Sequence, residues 1–329
     1  MSTHFHVTHA LTRGLARTFE DALALEPPAE PIDVKVAYNQ HEKYNELLKS
    51  IIPNVLEIPA DDSCPDCVFI EDTALVISES HAVITRPGAP SRQREPDPVV
   101  EALQSLGISH IDRLCDPATL DGGDVLVLPW AVLVGTSRRT NKEAVAQLEA
   151  LLKAAGGPPL YVFSVQDAAI AAATTAIMPA ATAADGKDPH TLLVADSPMG
   201  HALADQIRAV LPHHHQFHHQ QQQQQQETPS SSSLSSPSLS APAPATAAGA
   251  GTTPLDLIFV PDTLAANVLS AGAHVVMQAG FPASEAIVRA ACEARGMTLH
   301  TLSMSELAKA DGALTCCSLL FRAPRKAEQ

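Results

Sequence analysis

Four acidic positions recur in this chain just before or inside short apolar runs: Asp66, Glu71-Asp72, Asp121 and Asp311. A carboxylate at the mouth of a strand costs roughly several kcal/mol if it is buried without a partner. A cationic ligand would supply the partner. A guanidinium suits the task, since it stays protonated below about pH 12 and offers five in-plane donors. Each charge-assisted hydrogen bond contributes roughly 1.5–3 kcal/mol. Glu71 and Asp72 stand out because they interrupt an apolar run, with Val68-Phe69-Ile70 before them and Thr73-Ala74-Leu75-Val76 after. Two arginines sit in constrained loops. Arg92 ends Arg86-Pro87-Gly88-Ala89-Pro90-Ser91-Arg92, and Arg139 lies in Val134-Gly135-Thr136-Ser137-Arg138-Arg139-Thr140-Asn141. Over a pocket, they would bind a carboxylate. Acids for one end and arginines for the other suggest an amino acid with a cationic tail.

A nucleophile is available near the chain's end, in Ala310-Asp311-Gly312-Ala313-Leu314-Thr315-Cys316-Cys317-Ser318-Leu319-Leu320-Phe321. Asp-Gly before an apolar run reads as a turn into a strand. On a strand Cys316 and Cys317 point opposite ways, so only one can face a pocket. The competing reading makes both small buried hydrophobes, the common state of a free cysteine. Cys64-Pro65-Asp66-Cys67 lacks the second half of a zinc ribbon and is followed by strand residues, so neither a metal nor a redox role is expected of it.

Composition narrows the classes. The formal net charge is −15 with no basic run, which argues against nucleic acid and anionic membranes as partners. Hydrophobic residues make up 45% but aromatics only 4%, so the core must be built from Ala, Val, Leu and Ile. Six irregularly spaced cysteines fit a reducing compartment rather than a disulfide framework. No stretch approaches the ~18 apolar residues of a membrane span, and the first ten residues carry no apolar signal segment. A cytoplasmic protein is expected.

The elements that must position these residues repeat. Each block runs strand, loop, amphipathic helix, second strand, then an acidic turn into a third strand. One block opens at His81–Arg86, has a helix over Pro98–Leu106 and ends in Thr119-Leu120-Asp121-Gly122-Gly123-Asp124-Val125-Leu126-Val127. The next opens at Ala131–Gly135, with a helix from Asn141 to about Ala155 and a strand over Leu160–Val165. Val145, Leu148, Leu151 and Leu152 share one face of that helix. The last has strands at His274–Met277 and Thr298–Leu302 around a helix over Ser284–Arg295. The first fits more loosely: a strand over Asp33–Tyr38, a helix over His41–Ile52 capped by Asn39, then strands at Val55–Ile58 and Cys67–Ile77. The fourth, with a strand at Leu192–Asp196, a helix at Gly200–Leu211 and a strand from Leu255 to Val260, is interrupted. Its insert, a His/Gln tract followed by Ser, Pro, Ala and Gly to about residue 254, cannot bury enough apolar surface to order itself. Five such units stacked around an axis make an α/β fold, one closed domain over 1–329 with a disordered insert at about 212–254. The pocket belongs at the axial mouth.

Several motifs then carry a resemblance. Asp66-Cys67-Val68-Phe69-Ile70-Glu71-Asp72, Ile84-Thr85-Arg86-Pro87-Gly88-Ala89-Pro90-Ser91-Arg92, Leu120-Asp121-Gly122-Gly123-Asp124, Ser137-Arg138-Arg139-Thr140-Asn141, Val260-Pro261-Asp262-Thr263-Leu264-Ala265-Ala266-Asn267 and Leu314-Thr315-Cys316-Cys317-Ser318 resemble the dimethylarginine dimethylaminohydrolase family. The resemblance implies a five-bladed α/β propeller (pentein) and hydrolysis of methylated arginines to citrulline and methylamine or dimethylamine. It makes Cys316 the nucleophile. Asp66, Glu71 and Asp72 become contacts to the guanidinium and amine, and Arg92 and Arg139 contacts to the carboxylate. Leu23 and the Ala310 backbone are further substrate contacts, and Asp121 orients the catalytic histidine. No metal or organic cofactor is implied, and the only partner implied is the small-molecule substrate.

One position departs from the family. Its general acid/base histidine falls in a Leu-His-Leu-Lys segment, where this chain reads Asp167-Ala168-Ala169-Ile170-Ala171-Ala172-Ala173 and places Ala169. The nearest histidine downstream is His190. Loss of such a group typically costs ~10²–10⁴ in rate. A catalytically impaired member that only binds methylarginine or arginine is therefore the second expectation. Arginine deiminase is a third option within the same fold.

Overall fold

The computed structural model describes residues 7–128, 131–164, 174–177, 190–210 and 255–324. Among them are five three-stranded sheets of one design. In each, a central strand pairs in parallel with the strand that follows it across a helix, and antiparallel with an inner strand. The first sheet has His9–Arg13 (β1) beside Asn54–Ile58 (β2), joined through the helix Val34–Ile51. The second places Ala74–Val76 (β3), His81–Ile84 (β4) and His110–Arg113 (β5) around the helix Asp97–Ser105. The third holds Val125–Leu128 (β6), Ala131–Thr136 (β7) and Leu160–Ser164 (β8), with the helix Lys142–Ala154. Thr174–Ile177 (β9), His190–Ala195 (β10) and Leu255–Val260 (β11) form the fourth, with the helix Pro198–Val210. Val268–Ala271 (β12), His274–Gln278 (β13) and Thr298–Leu302 (β14) form the fifth, with the helix Pro282–Glu293. The last strand, Ser318–Phe321 (β15), returns to the first sheet and pairs His9 with Phe321.

The helices form for local reasons. Asp33 caps the first, accepting from the Lys35 and Val36 amides. Its buried face, Ala37, Gln40, His41, Tyr44, Asn45 and Leu48, follows the helical period. Asn141 caps Lys142–Ala154 through Ala144 N, and Ala144, Leu148 and Leu152 turn inward at four-residue spacing. The expected strand over Asp33–Tyr38 is thus a cap and a helical turn. Val36 and Tyr38 misled by alternating, but both are exposed, and the buried positions repeat every three or four residues. The true first strand, His9–Arg13, lies in a stretch to which no element had been assigned.

Neighbouring sheets share their cores. Leu11, Ile84 and Phe321 join the first sheet to the second, and Leu75, Val83 and Val134 the second to the third. Leu133, Leu192 and Val194 join the third to the fourth, and Leu193, Val275 and Met277 the fourth to the fifth. Ala10, Leu269 and Val276 join the fifth back to the first. No helix among the described residues is long and apolar enough to cross a membrane. The insert at about 212–254 and the Asp167–Ala173 segment with Ala169 lie outside the described residues.

Candidate active site

Three inner strands are each preceded by a 3₁₀ turn, and these turns carry the chemistry. Ile70–Thr73 leads into β3 and holds Glu71 and Asp72. Gly122–Asp124 leads into β6 with Asp121 at its start. Thr315–Cys317 leads into β15 and holds both cysteines. The cysteine pair therefore sits in a turn rather than on the expected strand, with Cys317 buried and Cys316 half-buried. The first turn packs against both others. Only glycine permits the approach at Gly122, where a Cβ would overlap the Glu71 carbonyl oxygen. At Gly88 a Cβ would come within 2.5 Å of the Arg139 backbone.

Hydrogen bonds tie the turns together. Gly123 N donates to Asp72 Oδ1 at 3.0 Å, and Thr85 Oγ1 donates to the Asp72 carbonyl. Gly88 N donates to Asp121 Oδ1 at 2.7 Å, and Arg139 Nη1 to Asp121 Oδ2 at 3.3 Å. Arg92 is only 4% exposed. Its Nη1 donates to Asp72 Oδ2 at 2.6 Å, its Nε to both Glu95 oxygens at 3.1 and 3.0 Å, and its Nη2 to the Phe69 carbonyl at 3.0 Å. In this structure both arginines are engaged by acids. Leu23 N donates to Asp66 Oδ1 at 2.9 Å, and Leu25 N to Asp311 Oδ2 at 2.6 Å. Asp311 thus anchors the 23–25 loop rather than joining the other acids. Ala310 is buried, and its amide donates to the Leu307 carbonyl at 3.1 Å.

Around Cys316, Thr315 N donates to Asn267 Oδ1 at 3.1 Å, and Thr315 Oγ1 donates to Glu71 Oε2 at 2.9 Å. Glu71 also hydrogen-bonds the Cys316 side chain. Beneath the turn, Tyr44 OH donates to the Leu314 carbonyl at 2.9 Å and lies 2.7 Å from Ser318 Oγ.

Charge within the cluster is unbalanced. Asp66, Asp72, Glu95, Asp121 and Asp124 share the guanidinium groups of Arg92 and Arg139, while Glu71 lies against Asp72, Thr315 and Cys316. Burial, reinforced by Asp72, pushes Glu71 up to about 8. The same two causes raise Asp121 to about 6. Burial raises Glu95 to about 7 despite Arg92 beside it, with Asp66 and Asp72 adding like charge. Burial also raises Asp66 and Asp124. Burial, then Glu71 and Asp72, pushes the Cys316 thiol well above its ordinary range.

Sequence reasoning missed Glu95, Asp124, Asn267 and Thr315. Glu95 had a signal, three residues beyond Arg92 in a proline-braced turn. Asn267 closes the Val260–Asn267 motif, but nothing local links it to Thr315. Ala169 and the side chain of His190 lie outside the described residues, so the expected position of the histidine has no geometry. A groove of about 430 Å³ lies elsewhere, lined by Arg17, Val34, Lys35, Tyr38, Asn39 and Glu42. None of the predicted site residues lines it, and it holds no nucleophile.

No family model matches the chain. A dimethylarginine dimethylaminohydrolase of Streptomyces coelicolor is 40% identical over 147 residues, 45% of this chain and 56% of that protein. Its counterpart in Pseudomonas aeruginosa is 34% identical over 148 residues, 45% of this chain and 58% of that protein. The chain therefore spans little more than half the length of the relatives it matches. In structure, a mutant of the Pseudomonas aeruginosa enzyme complexed with citrulline superposes with a TM-score of 0.71 at 23% identity, covering 96% of this chain and 100% of that one. The N-terminal domain of a cyanobacterial arginine dihydrolase follows at 0.62 and 15% identity, covering 97% and 99%. Such structural likeness carries the fold, and over a little under half of its own length the chain is similar in sequence to dimethylarginine dimethylaminohydrolases.

Proposed function

We propose that the chain hydrolyses N-omega-methylated arginines, asymmetric dimethylarginine and monomethylarginine, to citrulline and dimethylamine or methylamine. The observation that carries this reading is the surplus of buried carboxylates around the half-buried Cys316, whose thiol they and burial push up. A guanidinium cation would offset that surplus and at the same time favour the Cys316 thiolate. Asp66, Glu71 and Asp72 would receive the guanidinium and amine. Arg92 and Arg139 would take the carboxylate, re-pairing from Asp72 and Asp121. Leu23 and the Ala310 backbone would border the substrate.

The thiolate would attack the guanidinium carbon, forming an S–C bond. The C–N bond to the methylated nitrogen would break, and that nitrogen leaves as an amine after gaining a proton. Water would then attack the same carbon, lose a proton and release Cys316 as the S–C bond of the thiouronium breaks, leaving the ureido group of citrulline. Asp121 would orient the group that moves these protons. A reducing, cytoplasmic setting is part of the reading, because the nucleophile must stay a free thiol.

The five sheets form, on this reading, the blades of one closed α/β propeller interrupted at about 212–254. Support comes from the shared cores, which run from sheet to sheet and back to the first. A second reading, binding without turnover, is favoured by Ala169 at the histidine's place. Citrulline formation from asymmetric dimethylarginine, with Cys316→Ser as control, separates the two. Turnover abolished by that substitution supports the hydrolase. Ligand-induced stabilisation without turnover supports the binding protein.

A further inference from the structure

The second sheet carries a cluster that the proposed chemistry does not use. His81 opens β4, and His110 opens β5 directly beside it in the parallel register. Asp112, two residues further along β5, points to the same face, as the period of a strand requires. Its Oδ2 lies 2.9 Å from His81 Nε2 and 3.2 Å from His110 Nε2. The three ligand atoms all fall within 4.8 Å of one another, the one such group of His, Cys and acid side chains among the described residues. Donors at tetrahedral zinc, with Zn–N near 2.0–2.1 Å, sit about 3.3 Å apart. The two short separations match that spacing, and the third needs at most a small rotation of the exposed His110 ring.

We infer that His81, His110 and Asp112 form a binding site for a divalent transition-metal cation, with Zn²⁺ the ion that fits best. Two imidazole nitrogens and a carboxylate favour such ions over Mg²⁺ or Ca²⁺, which take all-oxygen shells. His81 is buried and strand-held, so it gives the site a rigid wall. The His110 side chain is 64% exposed, leaving an open approach and room for water as the fourth ligand. On binding, each Nε2 would give its lone pair to the cation in place of a proton shared with Asp112. Thr85, the residue that contacts Asp72, lies four positions beyond His81, which places the cluster roughly 13 Å along the extended chain from the acidic site. The ion would join the start of β4 to the outer strand β5 and act on stability rather than turnover.

Histidine-rich sequence and free thiols take up Zn²⁺ in general, so the histidines at 213–215, 218 and 219 and the Cys316 thiol are removed for the test. The full chain with those five histidines changed to alanine and with Cys316→Ser is the reference. Zn²⁺ binding is measured by competition with a chromophoric chelator, and melting is followed with and without Zn²⁺. The reference binds one equivalent and melts higher with it. Adding His110→Ala or Asp112→Asn, both at accessible side chains, weakens that equivalent by at least about tenfold and removes the rise in melting temperature. Either variant binding Zn²⁺ as the reference does, or a reference that binds none, overturns the inference.

Discussion

Replacing Arg92 by methionine tests the charge ledger of the site most directly. The change keeps most of the volume and removes the one guanidinium that touches Asp72, Glu95 and the Phe69 carbonyl together. Removing one partner of a buried ion pair typically costs about 3–5 kcal/mol, since the other partner stays buried without compensation. That is a large part of a total stability of roughly 5–15 kcal/mol. At about 2–4 °C per kcal/mol for a chain of this size, melting should fall by roughly 6–20 °C at pH 8. The loss should depend on pH. Glu95 already titrates at about 7 with Arg92 present, and without Arg92 its folded value rises further. A carboxyl whose folded pKa exceeds its unfolded value binds more protons in the native state. Stability then falls as pH rises from the unfolded pKa through the folded one. The gap between variant and parent should therefore be narrow near pH 5 and widest at pH 8. Melting curves by circular dichroism at both values give the answer. Arg92→Lys, which keeps the charge but loses the fork, should fall between the two. A variant that melts within about 2 °C of the parent at pH 8, or with a gap independent of pH, would refute the reasoning.

Glu71→Gln removes the nearest of the negative neighbours that hold the Cys316 thiol up. Iodoacetamide labelling of Cys316 at pH 9, above the value of about 8 to which Glu71 is pushed and where it carries its charge, should then quicken by roughly threefold per pKa unit recovered, the gain in thiolate being partly offset by its lower intrinsic nucleophilicity. Mass spectrometry of the labelled peptide reads this out, and an unchanged rate would mean that Glu71 does not set the thiol's charge state. Gly122→Ala should force the Ile70–Thr73 and Gly122–Asp124 turns apart, costing about 1–3 kcal/mol and weakening cation binding as well. A protein that melts and binds as the parent does would show that the close approach at Glu71 is dispensable.

The repeat was legible because its signals are local. Strands such as Ala131–Thr136 and His274–Gln278 are short apolar runs, and Lys142–Ala154 announces itself by Asn141 and a four-residue apolar period. The first unit was not. His9–Arg13, with His, Thr and Arg among five residues, has no alternating apolar pattern, and its place is fixed by β2 on one side and β15 on the other. Only tertiary pairing defines it. The candidate site was legible where residues break their surroundings, as Glu71-Asp72 breaks an apolar run. It was illegible where a role depends on distant partners. Thr315 and Asn267 acquire theirs by meeting across 48 residues, and Glu95 by sharing Arg92 with Asp72. The same limit explains the misjudged geometry of the cysteines. Their turn is set by the packing of three turns on one another, which no window of sequence contains.

The negative surplus links recognition to reactivity under the proposed function. Glu71 and Asp72 disfavour the Cys316 thiolate, since each adds a like charge to a half-buried anion. A guanidinium held by the same two carboxylates interacts with that thiolate as well. Linkage makes the relation reciprocal: however many pKa units the bound cation takes off the thiol, the thiolate form binds the cation tighter by the same factor. A neutral product such as citrulline carries no charge with which to hold the thiolate, so it loses this part of the binding as the cation is consumed. The site would therefore favour substrate over product by the interaction that activates the nucleophile, and a free thiol in its resting state would be protected from stray alkylation and oxidation by the carboxylates that later bind the substrate.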